Sequence, residues 1–163
     1  MIDIARRNAI KASALVAAGA SVLPAIGSAA SAAKPATNDA SAIGRFELTP
    51  SIPGIPLISN VTTHGNIAYL AGVTANPRDL GDIKDQTRKV LARIDALLAK
   101  AGTTKSKILT AQVWLTDMDS FGAHNDAWNE WVDPKNPPVR ACVLSPKLWQ
   151  PGMLVEIMVT AAI

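Results

Sequence analysis

One cysteine, Cys142, stands in a chain of 163 residues. A lone thiol excludes an internal disulfide, and no CxxC pair or Cys/His cluster offers a zinc site. In an oxidising compartment such a thiol is expected to be buried or sheltered. Aromatic residues are scarce at 4%, and three of the four tryptophans, Trp128, Trp131 and Trp149, fall near the end. No Gly-rich phosphate loop and no Ser/His/Asp arrangement stands out. No apolar run reaches the roughly 20 residues of a spanning helix. The nearest, residues 12–26, is broken by Gly19 and Pro24, which argues against a membrane anchor.

A basic excess is missing too, once the N-terminus is set aside. Residues 1–33 read as a Tat-type signal peptide. Ala5-Arg6-Arg7-Asn8 supplies the twin arginines, and Ser28-Ala29-Ala30-Ser31-Ala32-Ala33 the small residues before cleavage, expected after Ala33. The expected location is therefore periplasmic or otherwise exported, with no stable membrane anchor after cleavage. The whole chain has 16 Lys+Arg against 13 Asp+Glu. Arg6, Arg7, Lys11 and Asp3 lie in the signal, so the remainder is close to neutral. No basic stripe is left, and nucleic acid is not the expected partner. Residues 34–44, rich in Ala, Ser and Pro, read as a flexible linker before one domain over 45–163.

What the domain does contain is alternation and helical period. Phe46 and Leu48 suit a short strand, and Pro53, Gly54 and Pro56 force a loop. Residues 57–62 and 67–73 read as a hairpin about His64-Gly65-Asn66. Asp82 is an N-cap for a helix with Val90, Leu91, Ile94, Leu97, Leu98 and Ala101 at helical spacing, ended by Gly102. Residues 108–115 alternate as a strand, with Leu109, Ala111, Val113 and Leu115 on one face. Asp117 or Asp119 is expected to cap a second helix carrying Phe121, His124, Asn125, Trp128 and Trp131. Two strands, 139–144 and 154–161, close the chain. The order predicts an α+β domain: a mixed sheet with both helices on one face. The other face, with Trp114, would be uncharged and costly in water, as an oligomer interface is.

Each closing strand carries one charge, Arg140 and Glu156. An unpartnered buried charge costs about 3–5 kcal/mol. If the strands are neighbours, the two residues come within reach, as a structural ion pair or as a site. In a site, Arg140 would hold a carboxylate through its planar fork of donors, and Glu156 would position water. Cys142 fits a small core residue better than a nucleophile. His64 and His124 read as structural, and Asn125 could bond a neighbouring backbone or serve the site.

From about Ser59 the chain resembles the RidA family, also called YjgF/YER057c/UK114. Tyr69-Leu70-Ala71-Gly72, Gln86-Thr87-Arg88-Lys89-Val90-Leu91, Leu115-Thr116-Asp117-Met118, Phe121 with Asn125, Pro138-Val139-Arg140-Ala141-Cys142-Val143 and Val155-Glu156-Ile157 carry the resemblance by their order and spacing. It implies a chorismate-mutase-like homotrimer with clefts between subunits, and deamination of 2-imino or 2-enamino acids to 2-keto acids and ammonia. No cofactor and no metal is implied. Arg140 matches the arginine for the substrate carboxylate and Glu156 the water-orienting glutamate. Cys142 matches a cleft residue whose N–H meets the same carboxylate, and Gly72 and Asn125 fall in the substrate-binding set. Active members carry a tyrosine at the position of Ile58 and a serine at Ala71. Those losses leave a second expectation open, a non-catalytic module that binds a small carboxylate. A ribonuclease, a role ascribed to some relatives, is opposed by the near-neutral charge.

Overall fold

The computed structural model describes residues 41–163; the expected signal peptide and the linker up to residue 40 lie outside the described residues. The strands are β1 (Ile43–Leu48), β2 (Ser59–His64), β3 (Ile67–Leu70), β4 (Val73–Thr74), β5 (Ile108–Leu115), β6 (Val139–Leu144) and β7 (Val155–Ala162), with helices α1 (Ile83–Lys100) and α2 (Phe121–Trp131). β1 begins two residues before the expected domain start. All strands join one mixed sheet of order β1-β2-β3-β7-β5-β6, with β4 also paired to β7.

Local chemistry explains most of these elements. Gly65, at φ +57°, takes the first position of the two-residue β2–β3 turn, where a left-handed backbone suits the twist of the hairpin. His64 ends β2 rather than lying in the turn. The Asp82 carboxylate accepts from the Asp85 N–H at 2.9 Å and starts α1, and Gly102 at φ +76° follows its end. Asp117 caps a short 3₁₀ turn, Met118–Ser120, rather than α2 itself, whose N-cap is Ser120.

β5, α2 and β6 form a crossover unit, so β6 runs parallel to β5. β7 returns antiparallel on the other side of β5. The core lies between the helices and the face bearing Val61, Leu70, Val113, Leu115, Ile157 and Val159, closed by Val90, Leu91, Ile94 and Leu98 of α1. Gln86 is fully buried within it. Its amide donates to the Gly81 and Gly152 carbonyls and accepts from the Leu154 N–H, fastening α1 to the approach of β7.

Two irregularities depart from strict alternation. The expected strand 67–73 is broken at Ala71 and Gly72. Tyr69 stands opposite Thr160 and Val73 opposite Ile157, so one strand has an extra residue, a bulge. The Ala71 N–H turns instead to the Asn60 carbonyl. A register shift between Ile108 and Thr110 buries Ile108 and leaves Leu109 45% exposed, against the expectation for Leu109. The other face of the sheet, with Tyr69, Gln112, Met158 and half-buried Trp114, lies away from the core.

Candidate functional site

Arg140 and Glu156 do not meet within one chain. The expectation that they are cross-strand neighbours is corrected by the topology, since β5 separates β6 from β7. They also leave opposite faces. Arg140 is in register with Ala111, which is in register with core-facing Val159, so Arg140 lies on the helix side. Glu156 is three residues from Val159 and therefore projects to the other side.

On the helix side, α2 lies over β6. Phe121, Asn125 and Trp128 follow at spacings of four and three, on one face of the helix. The Arg140 Nη2 donates to Asn125 Oδ1 at 2.6 Å. Its guanidinium carbon lies 4.8 Å from the Trp128 ring centre and 5.9 Å from that of Phe121. Both rings are within range of a cation–π attraction. Among the described residues, no carboxylate pairs with Arg140. A cleft of about 430 Å³ opens here, lined by Phe121, Asn125, Asn129, Arg140 and Cys142. The half-buried Cys142 thiol has its pKa raised by burial, which outweighs the charge and hydrogen bond of Arg140. A protonated thiol is a poor nucleophile.

His124 lies behind this cleft, fully buried. The Thr87 hydroxyl donates to the Ile83 carbonyl at 2.7 Å, so the 3.0 Å bond to His124 places the proton on Nδ1. Nε2 then presents a lone pair with no partner. Burial first, and then the charge of Arg140, lower its pKa to about 4. The imidazole is neutral near pH 7.

On the opposite face, Glu156 lies in a cleft of about 880 Å³ between the β1–β2 loop and the segment leaving β4. Ile58, Gly72, Thr74, Arg93 and Trp149 line it with Glu156. The carboxyl rests against Gly72, where a Cβ would overlap its Oε1. Burial raises the Glu156 pKa, which makes the carboxylate a better proton acceptor. Trp149 Nε1 donates to Thr74 Oγ1 at 3.3 Å, so this cleft holds a hydroxyl although Ile58 and Ala71 supply none.

Sequence reasoning put Arg140, Cys142, Gly72, Asn125 and Glu156 in a single site; within one chain, Arg140, Asn125 and Cys142 line one cleft and Gly72 and Glu156 another. It missed Trp128 and Phe121 as partners of Arg140, though their helical spacing with Asn125 was a usable signal. It missed Thr74, Arg93 and Trp149, which come together only through tertiary packing. Among the described residues, no group of three or more His, Cys, Asp or Glu could hold a metal ion.

The sheet order and the two helices on one face define an α+β domain of the chorismate-mutase-like class. The family model described as "Endoribonuclease L-PSP" matches residues 55–163. A RutC family protein of Haemophilus influenzae is 46% identical over 104 residues, 64% of this chain and 89% of the relative. A YjgF-family structure from Neisseria meningitidis aligns with TM-score 0.68 and 32% identity, over 76% of this chain and 96% of the other. A YjgF/YER057c/UK114 structure from Mycobacterium tuberculosis aligns with TM-score 0.65 and 26% identity, over 75% of this chain and 100% of the other. The chain belongs to the RidA, or YjgF/YER057c/UK114, family.

Proposed function

We propose that this protein hydrolyses 2-imino and 2-enamino acids to 2-keto acids and ammonia. The observation that carries the reading is Arg140, a guanidinium braced by an amide and two rings yet, among the described residues, with no acidic partner. A planar carboxylate fits such a fork. Glu156 is the complementary half, a carboxylate of raised pKa with room for water beside it.

The two halves leave opposite faces of the sheet, so a complete site needs a second copy. A homotrimer with the sheet faces turned inward would bring the Arg140 cleft of one subunit to the Glu156 cleft of the next. The substrate carboxylate would bind Arg140 and the N–H of Cys142. Glu156 would accept one proton as water adds to C2, forming the C–O bond. That proton would pass to the nitrogen, giving a carbinolamine. Glu156 would then carry the proton of the new C2 hydroxyl to the amine, so that the C2–N bond breaks as the C2=O bond forms and ammonia leaves the 2-keto acid. An enamine would first take a proton at C3 to become the imine. Nothing in this sequence calls for a metal or a cofactor.

The second reading, a trimer that binds a small carboxylate without turnover, is favoured by Ile58, which lines the Glu156 cleft without a hydroxyl. RNA cleavage has less support, because each cleft holds a single arginine, and binding the RNA backbone takes several cations. The deciding experiment uses the form beginning at Lys34. 2-Iminopropanoate generated in situ should disappear faster with the protein than without it, and the gain should vanish in Arg140→Ala. No gain over the spontaneous reaction, with 2-keto acids still binding, would leave the binding module.

A further inference from the structure

The cleft that holds Glu156 carries a second ionisable group that hydrolysis of a simple imine does not use. Arg93 reaches from α1 to the β4 edge, where its Nη1 donates to the Thr74 carbonyl. A guanidinium has five N–H donors. Among the described residues, this carbonyl is its hydrogen-bond acceptor and no carboxylate pairs with it. Glu156 lines the same cleft without an ion pair to Arg93, and Ile58, Pro77 and Trp149 line it beside them. A forked cation with free donors in a partly apolar cleft suits a carboxylate carried by a small ligand.

We infer that Arg93 is a specificity determinant that receives a second acidic group, so that the preferred substrates are 2-imino dicarboxylic acids. The inference rests on the reading above, in which Arg140 of a neighbouring copy takes the 2-carboxylate and Glu156 the water. A monocarboxylic imine leaves Arg93 facing solvent. A dicarboxylic one gains a charge-assisted pair there. The reaction that supplies such a substrate would be a two-electron oxidation of an acidic amino acid by a flavin- or nicotinamide-dependent enzyme, or loss of water from an acidic amino acid bearing a hydroxyl at C3. The competing account is that Arg93 only ties α1 to β4.

Calorimetry with unreactive keto acids separates the two. The form beginning at Lys34 should bind 2-oxoglutarate at least about tenfold more tightly than 2-oxobutanoate. Arg93→Gln should lose that preference and leave 2-oxobutanoate binding unchanged, while Arg93→Lys, which keeps the charge without the fork, should retain part of it. Equal affinities in the parent protein, or a preference that survives Arg93→Gln, would overturn the inference and leave the deaminase reading standing. A parallel loss for both ligands in Arg93→Gln would assign Arg93 to holding α1 and overturn it as well. Failure of both keto acids to bind the parent protein would overturn the inference together with the reading beneath it.

Discussion

The Arg140 cleft and the Glu156 cleft are held in opposite ways. Arg140 is held by contacts that are present: the Asn125 amide and the rings of Trp128 and Phe121, all on one helix. Glu156 is held by an atom that is absent, since its carboxyl occupies the place of a Gly72 side chain beside a break in the sheet. A group held by several attractions tolerates the loss of one. A group held by a gap is displaced by a single methyl. Substitutions on the two sides should therefore behave differently.

Arg140→Ala tests the first side most strongly. It should lower kcat/KM on 2-iminopropanoate by about 10²–10³-fold, as loss of a positioned charged donor does, with the circular dichroism unchanged. A fall smaller than tenfold would end the contrast, because the best-braced residue would then not be the one the reaction uses. Gly72→Ala tests the second side. The added methyl should push the carboxyl aside and cost about 10²-fold in kcat. Binding of 2-oxobutanoate by calorimetry should survive, because the Arg140 cleft is untouched. Loss of binding and turnover together would show that the two clefts do not divide the work.

His124 sharpens the comparison through pH. Its folded pKa of about 4 lies below the ordinary 6.5. The unfolded chain therefore takes up a proton that the native imidazole refuses. This contribution to stability is complete above pH 6.5 and declines as pH falls toward 4, by about 3 kcal/mol at most. Urea unfolding at pH 7.5, 5.5 and 4.5 should show the decline, and His124→Phe should flatten it. Identical slopes would remove His124 as its source. The smallest effect is expected for Asn125→Ala. The rings still hold the guanidinium, so about 1–1.5 kcal/mol should be lost, read as a rise of about tenfold in the KM for 2-iminopropanoate. A loss as large as that of Arg140→Ala would show that the amide, not the rings, does the bracing.

The elements were legible where local chemistry decides them. Asp82, the apolar period of α1, Gly102 and the alternation of β7 mark their elements without help from the rest of the chain. The bulges were not legible, because Ala71, Gly72 and Leu109 obey the strand pattern and lose it only when paired. The placement of Arg140 and Glu156 failed for a related reason. Both strands could be read, but a parallel crossover through α2 puts β6 on the far side of β5, and neither strand's own residues record which neighbour it takes. Arg93 belongs to the same class. It sits beside core-facing Ile94 in sequence, and only the short β4 edge turns it into a cleft residue.

That Arg140 and Glu156 project from opposite faces has a genetic consequence. If the site closes between copies, a gene damaged at Arg140 and a gene damaged at Glu156 encode chains that are each inactive alone but carry complementary halves. Expressed in one cell and mixed at random in threefold rings, they would restore about a quarter of the clefts. Two recessive lesions within a single small domain would then complement each other, as lesions in separate genes ordinarily do.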